Sequence, residues 1–279
     1  MEKDTEFIKL LKIFIRVAEA SRGIPAGKDN RILDAEGLAT KFIGHSISTI
    51  YLYRSTTMPD IGVSFFDPAS IKVLGRAALE SFLVFYYLFV DPKTEELKDF
   101  RYNSWVYSGL FERQKFPVQS PHGKKQLLEE KSTVASLESR IKCSPCFDKL
   151  TKKQQKKMIY YGVWRLHSWT DIALYVGLNK AHAKAYYRYL CGYAHSGNLS
   201  IIQLRQTRTA ESQKTLCGAT IGLLIIAIAN MIKLYCSIFP RSNEKFLKNN
   251  KDIAIVDGWI KIGSTSIEDI RVDWENIDV

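Results

Sequence analysis

Arg188 and His195, separated by six residues within the tyrosine-rich stretch 186–198, are the pair whose types and spacing speak most directly of chemistry. At about 100° per residue they lie two turns apart on a helix and point almost the same way. A guanidinium holds phosphate oxygens in a fixed fork, and an imidazole, which titrates near neutrality, moves protons. Lys184, Cys191 and Gly192 fall beside them on the wheel, while Tyr186, Tyr189, Leu190 and Tyr193 cover the opposite side. The tyrosine and leucine stripe is expected to face a core, so Arg188 and His195 are expected to face solvent, a ligand or a second subunit. Asn179 is placed to cap this helix, and Ser196-Gly197-Asn198 to end it just past His195.

A second set of ionisable residues, Lys72, Arg76 and Glu80, recurs every four residues, with Ser81 adjacent. They form one polar stripe on a helix that is apolar on nearly every other side from 74 to 90. Asp67 can cap that helix, Pro68 suits its first turn, and Asp91-Pro92 ends it. An Arg and a Glu buried there need each other, another helix or a ligand, because an unpaired buried charge costs several kcal/mol. The third set is a lysine run, five in the nine residues 149–157, in which Thr151 and Gln154 form a capping box. Its Lys152, Lys153, Lys156 and Lys157 could meet a phosphate backbone. Of the aromatics that follow, Tyr160, Tyr161, Trp164 and Trp169, most are expected in the core, with stacking on bases as the alternative. Cys143 and Cys146 form a lone Cys-Ser-Pro-Cys with no second ligand pair, so no metal is assigned there.

These side chains need helices to position them, and the apolar spacing supplies helices almost throughout. Phe7, Leu10, Leu11, Phe14, Ile15 and Ala18 keep the helical period, closed by Gly23 and Pro25. Further helices are expected over 34–56, which holds His45 as a packed or surface residue, and over 94–116 and 124–142. A short helix follows Ser168 and stops at Gly177. Residues 215–232 carry no charge and include Gly218 and Gly222, which admits a membrane span; Asn230 and Lys233 favour a central core helix. The short apolar stretches 253–256 and 259–262 are expected either to pair as a small β-hairpin or to dock as an appendage. The expected fold is all-α, with N-terminal helices over 1–66, a helical core over 67–245 and an acidic appendage over 246–279.

With 279 residues, 46% of them hydrophobic and 12% aromatic, the chain can bury a real core, which argues against disorder. Forty Lys and Arg against 29 Asp and Glu give +11, a balance that suits a polyanionic partner. Residues 252–279 alone carry seven acids against Lys261 and Arg271, so an acidic tail follows a basic body. Lys9, Lys12 and Arg16 interrupt the first apolar stretch, so no signal peptide is expected, and five cysteines in mostly apolar contexts fit a reducing cytoplasm.

Arg188, six intervening residues and His195 near the end of a tyrosine-rich helix resemble the Arg-x(4 to 6)-His signature of the HEPN superfamily, small all-α proteins that include ribonuclease toxins and antiphage effectors. Arg76-Ala-Ala-Leu-Glu80, the aromatic helix ending at Asp91-Pro92, and the later Tyr187 to Leu190 segment followed by His195 are similar to an uncharacterised bacterial branch of HEPN-like proteins. The resemblance covers about half the chain, near 67–202. It implies a HEPN-like helical bundle and metal-independent RNA cleavage without a cofactor, with His195 transferring protons, Arg188 holding the phosphate, and Arg76, Glu80 and Lys184 in support. It also implies a homodimer that brings two motifs together and admits an antitoxin or defence-system partner; no stable membrane insertion is expected, from Asn230 and Lys233. Tyr189 departs from the pattern, since many active members carry a small polar residue directly after the Arg; this bears on catalysis more than on fold. Two other readings stand beside it: a non-catalytic HEPN-like module that binds RNA, nucleotide or protein, and a membrane-associated protein.

Overall fold

The computed structural model describes residues 3–25, 27 and 29–265. The chain is all-α, as its periodicity predicts: 78% helical, with thirteen α-helices and a single two-stranded sheet among the described residues. α1 (Lys3–Glu19) and α2 (Arg31–Tyr53) precede a hairpin of β1 (Thr56–Met58) and β2 (Val63–Phe65), antiparallel with Thr56 opposite Phe65. Three-residue strands are too short to show a period in the sequence, and no hairpin was expected here. α3 (Pro68–Phe85) follows, with Pro68 in its first turn and the Asp67 carboxylate accepting from Ser70 N at 2.9 Å. A π-helical turn, Tyr86–Val90, leads to α4 (Glu95–Arg113), α5 (Pro121–Lys142), α6 (Pro145–Asp148) and α7 (Lys152–Tyr161). The chain then forms α8 (Trp169–Tyr175), α9 (Lys180–Ala194), α10 (Asn198–Gln206), α11 (Ala210–Ile238), α12 (Pro240–Leu247) and α13 (Asn250–Ser264).

Two compact units emerge, one from Met1–Tyr86 with Trp169–Val279, as far as these are described, and one from Tyr87–Ser168. The boundaries expected at 66/67 and 245/246 both fall inside the first unit. In that unit α11 is the central rod, packed against α1, α2, α3, α12 and α13, with Ile221, Leu224, Ile225, Ile228 and Ile232 fully buried. By length and composition α11 could cross a membrane, as could the helical run Pro68–Val90, but 72% and 67% of their most apolar windows are buried inside the protein. Helices buried over most of their apolar length read as core elements. α3 lies against α11 so closely that a Cβ on Gly75 would come within 2.5 Å of Thr220 Cγ2.

Of the two expectations for 253–256 and 259–262, the β-hairpin is overturned, because both stretches lie in α13, a helix packed against α1, α11 and α12. Asn249 caps that helix by accepting from Lys251 N and Asp252 N, and Asp252, Val256 and Gly263 are buried at helical spacing. Asp252 is ion-paired with Arg16 of α1, and Trp259 Nε1 donates to Glu6 at 3.3 Å. Tertiary partners one turn apart outweighed a short alternating pattern. The rest of the acidic tail, 266–279, lies outside the described residues.

The second unit packs α4 to α7 around Phe100, Tyr107, Leu137, Ile141, Met158 and Ile159. Tyr107 donates to Ile159 O at 2.7 Å, and Arg101 ties Tyr87 O to the Asp91 carboxylate.

Candidate functional site

α9 starts where Asn179 accepts from Ala181 N (3.0 Å) and His182 N (3.3 Å), as its position predicts. Ala183, Leu190 and Tyr193 are buried, Tyr186 and Tyr189 are half-buried, and Lys184, Arg188 and His195 are exposed. His195 is the C-cap. The next residue, Ser196, takes the left-handed conformation (φ 51°), Ser196 N donates to Tyr193 O, and Gly197 N donates to Gly192 O at 2.7 Å. This pair of bonds is a Schellman closure, here with a serine where glycine is usual, at a backbone cost of about 1 kcal/mol. Gly197 then starts α10, and a Cβ there would lie 3.2 Å from Gly192 O. The tight turn fixes the direction in which the imidazole leaves the helix.

That direction is toward α3. Arg76 Nη1 lies 3.2 Å from His195 Nε2, and Arg76 Nε donates to Glu80 Oε1 at 2.9 Å. Tyr187 OH donates to the same Glu80 oxygen at 2.9 Å, and the Arg76 guanidinium lies 5.6 Å from the centroid of the Tyr187 ring. A guanidinium only donates, so this contact requires His195 Nε2 to accept, which puts the ring in its neutral form with the proton on Nδ1. Burial works against the Arg76 charge, but the hydrogen bond and charge of Glu80 outweigh it and raise its pKa. Burial, then Glu80, pushes the Tyr187 phenol well above its ordinary value, which leaves it a donor at any physiological pH.

One turn toward the start of α3, Lys72 is wholly buried. Its Nζ reaches Pro68 O (3.3 Å) and Cys217 Sγ (3.5 Å) and lies 4.4 Å from the centroid of Tyr193. Burial pushes this ammonium down and the Cys217 thiol up, while each partly restrains the other. Tyr189 completes the lid, edge-to-face with Tyr193 at 5.3 Å and donating to Leu216 O at 3.4 Å.

The structure therefore brings Arg76, Glu80 and His195 into one cluster, whereas Arg188 and Lys184 stand in solvent with no hydrogen-bond or ion-pair partner among the described residues. Tyr187 was not among the expected site residues. Its signal was present in the four-residue row Tyr187, Cys191, His195, which inclines around α9 as such rows do and meets the matching row Lys72, Arg76, Glu80 of α3. Lys152, Lys153, Lys156 and Lys157 are all exposed on α7, which begins with the predicted Thr151–Gln154 capping box. Tyr160 and Tyr161, expected mostly as core residues, are 69% and 63% exposed. Trp164, by contrast, packs edge-to-face on Tyr87. Among the described residues no three His, Cys, Asp or Glu gather where a metal ion could sit.

Fold and site together define an all-α protein with an Arg-Glu-Tyr-His cluster at a helix junction. Residues 38–212, more than half of the chain, match the family of unknown function DUF5677, and the chain belongs to that family. The matched span includes both rows of the cluster. The chain matches no curated protein and no solved structure.

Proposed function

We propose that this chain is a HEPN-like, metal-independent endoribonuclease of the cytoplasm, acting as a homodimer in toxin or antiphage defence. The observation that carries the reading is the junction of α3 and α9, where the His195 imidazole is held against the Arg76 guanidinium, with the exposed Arg188 guanidinium two turns earlier on α9. In the proposed step the ribose 2′-oxygen attacks the adjacent phosphorus while its proton passes to His195 Nε2. The bond from phosphorus to the 5′-oxygen breaks. That oxygen takes a proton from solvent, offset by the one His195 later returns to solvent, and leaves with the downstream fragment, and a 2′,3′-cyclic phosphate remains on the upstream one. Arg76, whose Nη1 now occupies the Nε2 lone pair, moves onto a phosphate oxygen as Nε2 takes the proton, since two donors cannot face each other. Arg188 is free to clamp the same phosphate or to complete the site of a second copy.

Purified protein in EDTA should cut RNA and leave cyclic-phosphate ends. His195→Ala should lower the rate by about 10²- to 10⁴-fold, the usual worth of positioned proton transfer. Arg188→Ala should also cripple cleavage. Equal cleavage by parent and His195→Ala would overturn the reading, and RNA binding without turnover by the parent would point instead to a non-catalytic module. A dimer in sedimentation is expected.

A further inference from the structure

The densest charge in the molecule belongs to the second unit. Residues 87–168 hold sixteen Lys and Arg against nine Asp and Glu, and between Arg140 and Arg165 eight cations share the chain with one acid, Asp148. Lys142 is ion-paired with Glu138, but Lys152, Lys153, Lys156 and Lys157 have no ion-pair or hydrogen-bond partner among the described residues. On α7, Lys153, Lys156, Lys157 and Tyr160 fall within about 100° of arc, and the exposed Lys152 and Tyr161 lie about 40° beyond it, one on either side. The opposite side of α7 is occupied, since Met158 and Ile159 are buried in the core and Gln155 Nε2 donates to Phe147 O at 3.0 Å. The helix then ends at Gly162 in the left-handed conformation (φ 64°), which leaves both tyrosine rings outside at the last turn. Cations and open aromatic rings thus interleave on one face.

We propose that this face of α7 docks single-stranded RNA, with Lys152, Lys153, Lys156 and Lys157 meeting phosphates and Tyr160 and Tyr161 stacking on unpaired bases. Phosphate contacts gain from counterion release, and aromatic stacking accepts any base with a free π-face. Duplex bases are already stacked, so the tyrosines select single strands. A membrane surface fits less well. An interfacial helix needs an apolar face to bury in lipid, and the apolar face of α7 is spent on its own core. The identity of the polymer rests on the ribonuclease reading above; the face itself does not require cleavage.

The test uses the full chain and a fluorescent single-stranded 2′-O-methyl RNA, which lacks the attacking hydroxyl, in anisotropy titrations over a salt series. Tyr160→Ala/Tyr161→Ala should weaken binding about tenfold or more with the salt slope unchanged, since each stacked base is worth about 1–3 kcal/mol. Replacing all four lysines by Gln should flatten the slope of log K against log salt by up to about three. The duplex of the same sequence should bind at least about tenfold more weakly. All six side chains are exposed, so circular dichroism should be unchanged. No binding by the parent, parent-like binding by either variant, or equal binding of the duplex would overturn the proposal, as would capture of phosphatidylserine vesicles that depends on these residues while RNA binding does not. Loss of cleavage in His195→Ala with binding intact would leave this face standing, and loss of binding with single-turnover cleavage intact would leave only the catalytic reading.

Discussion

α3 and α7 both carry cations four residues apart, Lys72 with Arg76 and Lys153 with Lys157, yet the two helices use them in opposite ways. On α3 one cation is sealed under Tyr193 and the other is tied to Glu80 and His195. On α7 the cations stand in water without fixed partners. Identical spacing therefore says little about role until the neighbouring elements are known. α3 is enclosed by α2, α9 and α11, so each of its charges has to be satisfied internally. α7 is covered on one side only, so its lysines stay in water and need no internal partner.

The sharpest break of this comparison is kinetic. On the proposed ribonuclease reading, Arg76→Gln should reduce kcat by at least about tenfold, because it removes the partner that sets the His195 tautomer and a charge that would face the phosphate. The four-lysine Gln variant of α7 should raise KM and leave kcat within about twofold. Loss of kcat in both would erase the distinction between the helices. Next in size is packing. Gly75→Ala places a methyl 2.5 Å from Thr220 Cγ2 and should cost about 1–3 kcal/mol in denaturant unfolding, whereas Lys153→Ala on α7 should stay within about 0.5 kcal/mol.

Tyr187→Phe is subtler. It keeps the ring beside Arg76 and deletes the hydroxyl that donates to Glu80, so stability should fall by about 1 kcal/mol and kcat more than KM. A Tyr187→Phe protein with parental kcat would reduce the tyrosine to packing.

The smallest expected effect concerns pH. His45 Nε2 on α2 is buried without a hydrogen-bond partner among the described residues, and burial, with the charge of Lys41, lowers its pKa below 6.5. The unfolded chain then binds the proton more readily than the folded one. Its contribution is complete above about pH 6.5 and is lost as pH falls through that value toward the folded pKa. His45→Gln should flatten this slope in unfolding measurements between pH 7.5 and 5.5 (about one unit either side).

Much of this was legible in the residues themselves. Asp67, Thr151 and Asn179 cap the helices they precede, and the uncharged stretch around Ile225 is the buried rod of the core. Caps act within one turn and a run of apolar residues has one economical fate, so such features need no distant partner. The hairpin at 56–65 and the helical state of 253–262 were illegible because the first is too short to show a period and the second owes its state to α1 and α11.

The sequence by itself determined the all-α class, the helix that carries Arg188 and His195, the polar stripe of α3 and the basic run that opens α7, since each depends on periodicity, caps or charge along one segment. Only the tertiary structure decided that Arg76, not Arg188, meets His195, that Tyr187 anchors Glu80, and that Tyr160 and Tyr161 stay outside. A helical wheel says which residues share a face. Which face meets which neighbour is set by the crossing of two helices and by the core each must bury, and those involve residues more than a hundred positions apart.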